Sequence, residues 1–335
     1  MSYMFTVPPF TATRSFNNSD PTLSVLDPLR DYESPTPPDR IPGDYFDPHM
    51  RQAYYQNWGL NVQKALPGRM VFDVGYQGSR GVHITMLRYN YNQSLTLPDT
   101  SDRFPGFTTI AGFTSDGNSR YDGLQAKLRK DISHGLSFTA MYTWSNAMDD
   151  GSAEDQGQFY IHDPKLDWGK SVFAHRHVFS TEFIYQLPFG KGKAWGNNIN
   201  PVLDGVLGGW QLSSVLYAAS GDFLSVTSET ALASVNTQVW PRADRVASPS
   251  LSNRSTAEWF NTSAFAAPPP GRGGLSARGA VEGPGSFTPD VAISKNFGVW
   301  KEGWRFQFRA EMYNAINHVN WGDPGTLLEL SLIHI

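Results

Sequence analysis

Arg305-Phe306-Gln307-Phe308-Arg309-Ala310-Glu311-Met312-Tyr313 decides the fold class of this chain. Phe306, Phe308, Ala310 and Met312 alternate with Arg305, Gln307, Arg309 and Glu311, and a period of two is that of a β-strand with one apolar and one charged face. The same period recurs at Leu136, Phe138, Ala140, Tyr142 and Trp144, and again at Phe179, Thr181, Phe183, Tyr185 and Leu187. Shorter versions sit at Trp58-x-Leu60-x-Val62, at Met70, Phe72, Val74 and Tyr76, at Leu124, Ala126 and Leu128, at Trp210, Leu212 and Leu216, and at Val291 and Ile293. About eight strands emerge, and with Gly 31 and Pro 23 among 335 residues the chain is too heavily punctuated for long helices. The fold class is all-β.

Two architectures share this period. In a soluble sandwich the apolar faces meet a second sheet, whereas in a membrane barrel they meet lipid and the polar faces line the lumen. Strand length favours the membrane, because the clearest strands reach the roughly 9–11 residues of a tilted bilayer crossing rather than the 5 or 6 usual in soluble sheets. Trp144, Tyr185, Trp210 and Trp304 fall near strand ends, as interfacial girdles require.

The connections alternate in length. Leu66-Pro67-Gly68, Ser133-His134-Gly135 and Lys301-Glu302-Gly303 are tight turns, while residues 79–118, 149–176 and 220–288 are long and polar. Short turns on one side and long loops on the other are the pattern of outer-membrane barrels. The connection 188–208 breaks it; Phe189-Gly190-Lys191-Gly192-Lys193 reads as its tight part, with the lysines near lipid headgroups, and the rest as an ordered excursion.

Composition removes several function classes. A net charge of −4 with no Lys/Arg cluster speaks against nucleic acid, and the lack of cysteine removes disulfides, thiolate metal sites and thiol nucleophiles. No apolar run approaches the roughly 18 residues of a membrane-spanning helix, which leaves β-barrels untouched because alternation averages their hydropathy out. The sequence carries no Walker, Gly-x-Ser-x-Gly or His-Glu-x-x-His motif. The expectation is a non-enzyme with no cofactor. His175 and His177 lack a third ligand nearby in sequence, and Asp149, Asp150, Glu154 and Asp155 lack the spacing of a calcium loop.

At this point the chain resembles the barrel region of TonB-dependent receptors, in particular the Oar-like group. The matching strings are Ser119-Arg120-Tyr121-Asp122-Gly123-Leu124-Gln125, Tyr142-Thr143-Trp144-Ser145, Tyr185-Gln186-Leu187-Pro188-Phe189-Gly190-Lys191-Gly192, Gly208-Gly209-Trp210-Gln211-Leu212, Trp259-Phe260-Asn261-Thr262-Ser263-Ala264-Phe265 and Phe308-Arg309-Ala310-Glu311-Met312-Tyr313-Asn314. They occur in the family's order. Where such proteins often carry Asp-x-Arg-His-Arg, this chain has Ala174-His175-Arg176-His177.

The resemblance implies a roughly 22-stranded barrel, filled by an N-terminal plug, in the bacterial outer membrane. It also implies energised uptake or reception of an unidentified ligand, driven by a TonB-like transducer through an N-terminal part absent from this chain. The expected organisation is a loop-rich segment 1–50, a partial barrel 51–329, and a tail 330–335 that resembles a translated sequencing-library adapter. Residues 1–16 carry no recognisable export signal, so a fragment of a longer protein is expected. Arg305, Arg309 and Glu311 are expected on the lumen wall, and Trp240, Arg242, Trp259 and Phe260, in the longest loop, are the candidate ligand contacts. The alternatives are a secreted or surface β-sandwich that binds glycan or protein, and a secreted β-rich hydrolase. A barrel must turn its apolar faces outward, and a sandwich must bury them.

Overall fold

The hairpin turns set the strand directions. His134 and Gly135 both take positive φ (50° and 79°), the geometry of a two-residue type I′ turn, whose twist suits the strands it joins. Gly68 and Arg69 also take positive φ (79° and 61°), in the three-residue turn between the paired Leu66 and Met70 of the preceding hairpin. A computed structural model describes residues 41–88, 91–92, 103–152, 164–228, 242–269, 274–298 and 305–328.

In chain order the strands are β1 (Ile41–Phe46), β2 (Tyr54–Leu66), β3 (Met70–Arg88), β4 (Phe107–Ser133), β5 (Leu136–Asp149), β6 (Gly169–Lys170) and β7 (His177–Gln186). A short helix α1 (Pro201–Leu207) precedes β8 (Trp210–Ala219). Four two-residue strands follow: β9 (Phe223–Leu224), β10 (Asp244–Arg245), β11 (Phe265–Ala266) and β12 (Val281–Glu282). The long strands β13 (Ser286–Gly298) and β14 (Arg305–Met312) end the fold.

Eight long strands form one sheet in the order β14-β13-β8-β7-β5-β4-β3-β2, each antiparallel to its neighbours. The eight strands expected from alternation are these eight. Among the described residues β2 and β14 each have one partner only, so the sheet is open.

Register decides which side chains share a face, because directly opposed residues point the same way. One row crosses the sheet as Phe287, Ala218, Phe179, Tyr142, Ala126, Val74 and Val62. Another joins Met312, Val291, Ser214, Phe183 and Phe138. The opposite face carries Arg309, Ser294, Gln211 and Gln186 in one row and Thr143, Gln125, Gly75 and Asn61 in another. One side of the sheet is therefore continuously apolar and the other largely polar.

The apolar side is uncovered. Leu60 is 71% exposed, and Val62, Trp144, Phe306, Phe308 and Met312 are exposed as well. No second layer packs on these residues among those described, which is the reverse of a sandwich and the arrangement of a lipid-facing wall. Such a surface, with two unpaired edges, should keep the chain out of aqueous solution. Size-exclusion chromatography is expected to give a single species in detergent and aggregates without it; a monodisperse, cooperatively melting protein in plain buffer would contradict the lipid-facing assignment.

Two expected loops turn out to be structured. Residues 79–118 were to be a loop, yet β3 and β4 stay paired from Met70↔Lys130 out to Arg88↔Gly112, with bulges near Ile84. The 27 residues of β4 extend about 90 Å at ~3.3 Å per residue, far beyond the roughly 30 Å of a bilayer core. Glycines conceal this in the sequence. A Cβ on Gly78 would lie 2.3 Å from the Trp58 indole directly opposite, and one on Gly81 would lie 2.8 Å from the Tyr55 ring, so these positions make room for rings and do not end the strand. β1, inside the segment expected to be loop-rich, pairs in parallel with the outer part of β4. The remainder of that segment, residues 1–40, and the tail 330–335 lie outside the described residues.

Of the stretch 220–288, the described residues 220–228, 242–269 and 274–285 fold into a cap. β9 pairs with β12 and β10 with β11, around a core of Val226, Ala243, Phe260, Ala264, Phe265 and Val281. The C-terminal stretch joins it, since Leu328 donates its N–H to the Thr227 carbonyl and Thr227 its own to that of Thr326.

Candidate functional site

Strand ends set up the two rims of the apolar band. At the loop-side rim Trp58 Nε1 donates to Tyr76 Oη (3.4 Å), Tyr76 Oη donates to Asp122 Oδ1 (2.5 Å), and Arg120 Nε donates to Asp122 Oδ2 (2.6 Å). Nearby Tyr142 Oη and His177 Nδ1 are 2.7 Å apart, next to Trp144. Aromatic bodies toward lipid with bonded polar tips toward the headgroups are what an interface selects. Tyr185, Trp210 and Phe308 occupy the turn-side rim of the same face, while Trp304 lies outside the described residues.

On the polar face Arg309 is paired with Glu311, and Tyr313 Oη donates to the second Glu311 oxygen (2.8 Å). Both charges are about half exposed. Arg305 opens β14; its backbone pairs with Gly298, and its side chain lies outside the description.

Two buried arginines bind the cap to the segment 149–176. Arg278, 7% exposed, donates to the Asp149 carbonyl and carboxylate and, at 3.5 Å, to the Gly169 carbonyl. Arg242 donates to the Leu166 carbonyl and lies 3.7 Å from the Asp167 carboxylate. Asp150 accepts the Asn118 backbone N–H (2.6 Å) and side-chain amide (3.1 Å); burial nevertheless holds its carboxyl above the usual carboxylate range, the Asn118 bonds pulling the other way.

Beside these ties lies a cleft of about 190 Å³ lined by Lys170, Arg176, Arg254, Phe223, Trp259 and Glu282. Lys170 Nζ and the Arg176 guanidinium both sit 5.4 Å from the Phe223 ring centroid, and the Arg254 guanidinium is 5.4 Å from that of Trp259. Trp259 is held by donating Nε1–H to the Glu282 carbonyl (2.9 Å). Burial, and then the neighbouring Arg176 cation, push the Lys170 ammonium below its ordinary pKa, against the pull of Glu282. Three cations over two rings, with Glu282 also in the lining, form a surface suited to an anion that also carries apolar area.

Of the loop residues singled out in the sequence, Trp259 lines this cleft. Phe260 is 4% exposed and belongs to the cap core, edge-on to Phe265 at 5.8 Å, with part of it at the cleft; Arg242 is engaged in the tie to Leu166 and Asp167; Trp240 lies outside the described residues. Lys170, Arg176 and Arg254 were not singled out, and the one local signal was the departure Ala174-His175-Arg176-His177. His175 Nδ1 contacts the Ser220 carbonyl (2.8 Å) and His177 contacts Tyr142, so the pair does not converge. Among the described residues no group of three metal-ligating side chains occurs.

A family model described as "Outer membrane beta barrel domain" matches residues 1–331. No curated protein matches the chain. Among solved structures the chain is similar to the outer membrane transporter YddB from Escherichia coli, with TM-score 0.44, 8% identity, and 81% of this chain aligned to 29% of that one. It is also similar to BauA, the ferric preacinetobactin receptor from Acinetobacter baumannii (TM-score 0.41, 13% identity, 80% of this chain and 26% of that). A third is the FrpB iron transporter from Neisseria meningitidis, F3-3 variant (TM-score 0.41, 10% identity, 85% and 30%). The chain spans less than a third of the length of each.

Proposed function

Because the chain belongs to the outer membrane β-barrel family and so resides among the lipids of the bacterial outer membrane, we propose that it is part of the wall of a receptor or transporter that takes up a ligand with energy from a TonB-like protein. Passage or reception, with no chemical step, is its role. The observation that carries this reading is one open sheet with an exposed apolar face and a polar face, whose long connections fold into a clamped cap at one end. The ordered strings shared with TonB-dependent receptors support the energised part.

In this reading Arg305, Arg309 and Glu311 belong to the lumen wall, where charge costs little against water or a plug. Trp259, with Lys170, Arg176 and Arg254, receives an anionic ligand at the cap; Phe260 and Arg242 hold the cleft in shape. The test is long-read sequencing of the source locus. An in-frame plug and TonB box upstream are expected. A reading frame that begins at the barrel with neither would overturn energised uptake and leave a membrane barrel.

A further inference from the structure

The connection between β7 and β8 lies at the same end of the sheet as the tight turns, yet it is long and well ordered. Trp195 N–H donates to the Pro188 carbonyl and Gly190 N–H to that of Trp195, each at 2.9 Å, and the Phe189 and Trp195 rings stand 5.1 Å apart. Asn200 caps α1 by accepting the Leu203 N–H (2.8 Å), with Pro201 in the first turn. Asp204 Oδ1 accepts the Lys191 N–H (2.7 Å), which ties the Gly-Lys-Gly-Lys turn to the helix.

The helix is inside out for water. Asp204 is half-buried, whereas Val202, Leu203, Val206 and Leu207 are between 47% and 78% exposed, and no residue of α1 is buried. At about 100° per residue these four fall on one arc. An apolar arc turned outward and a carboxylate turned inward suit a helix that meets lipid.

Its attachment places that arc beside the bilayer. The Val206 carbonyl, in the last turn, accepts from Trp210 Nε1 (2.8 Å) and from Lys295 Nζ (3.1 Å). Trp210 and Lys295 oppose one another across β8 and β13, on the face that carries Leu212, Ile293 and Phe308. Lys295 is 3% exposed, with its ammonium 5.5 Å from the Trp210 ring and 5.2 Å from that of Phe297. A lysine on a lipid face needs such a partner, and a helix C-terminal carbonyl is an apt one. The apolar arc thus continues the lipid-facing band at its turn-side edge, with exposed Lys191 and Lys193 alongside to meet phosphate headgroups.

We propose that α1 is an interfacial anchor: the apolar arc of Val202, Leu203, Val206 and Leu207 dips into the phospholipid leaflet on the turn side and fixes the height of the β7–β8 hairpin in the membrane. This rests on the outer-membrane assignment. The chain has no cysteine, so single replacements give unique labelling sites. Nitroxides at Val202→Cys, Val206→Cys, Gly205→Cys and Leu212→Cys would be read by electron paramagnetic resonance. The full chain would be in phosphatidylethanolamine/phosphatidylglycerol vesicles, with oxygen as the apolar relaxer and a nickel chelate as the aqueous one. Leu212 reports whether the strand lies in lipid; Gly205 is off the arc, with open space around it.

Positions 202 and 206 are expected to favour oxygen as Leu212 does, and position 205 to favour nickel. Nickel access at 202 and 206 with Leu212 in lipid would overturn the anchor alone. Shielding of 202 and 206 from both relaxers would overturn it in favour of a covering protein. Nickel access at Leu212 would overturn the membrane assignment and the anchor with it.

Discussion

Arginine in place of Leu128 is expected to destabilise the chain in lipid by about 2–4 kcal/mol, the cost of a cation on the lipid face near the bilayer midplane. Leu128 stands between Phe72 and Ala140 on the apolar side, midway along the stretch of β4 that crosses the bilayer. Gln125→Arg is the matched control, because Gln125 opposes Gly75 and Thr143 on the polar face, where an added charge meets water and is expected to shift stability by roughly 0.5 kcal/mol or less. Urea unfolding of vesicle-reconstituted protein, followed by tryptophan emission, separates the two. Equal shifts for both variants would mean that the faces share one environment, and the barrel orientation would be lost.

Arg278→Ala is expected to release the cap. The guanidinium is nearly buried beside Asp149, itself mostly covered, and it joins the cap to the 149–176 segment across 129 residues of chain. Removing one partner of a buried pair strands the other, at a cost of about 3–5 kcal/mol. Because cap and sheet have separate packing, the loss should appear as local opening. Amide exchange across β9–β12 is expected to speed up by about two to four orders of magnitude, while the central strands keep their protection. Unchanged exchange in the cap would show that its own core, with Phe260 and Phe265, holds it without the clamp.

Alternation alone located the sheet. Residues 305–313 are expected as strand and Arg305–Met312 is one; the stretch Leu136–Trp144 lies inside β5, and Phe179–Leu187 coincides with β7 up to Gln186. Alternation also separated the faces, since a strand's period of two assigns every side chain once one is assigned. The extension of β3 and β4 is hidden in the sequence, where Gly78 and Gly81 interrupt the alternation; the Trp58 ring on the neighbouring strand accounts for Gly78, and Tyr55 with Ser119 and Ile84 accounts for Gly81.

The cap was illegible for a different reason. Its strands are two residues long, too short to show a period, and its core gathers Val226, Ala243, Phe260, Phe265 and Val281 from positions whose spacing matches neither helix nor strand. Nothing local marks Arg278 or Arg176, because a charge takes its role from its neighbours and theirs come from distant parts of the chain.

The amino-acid sequence by itself determined an all-β chain of strands with one apolar and one polar face, because strand period and turn chemistry are local properties written in adjacent residues. Which loops are solid, which arginines are buried and which helix faces lipid were decided only by tertiary structure, because burial and charge pairing depend on what the fold brings within a few ångströms.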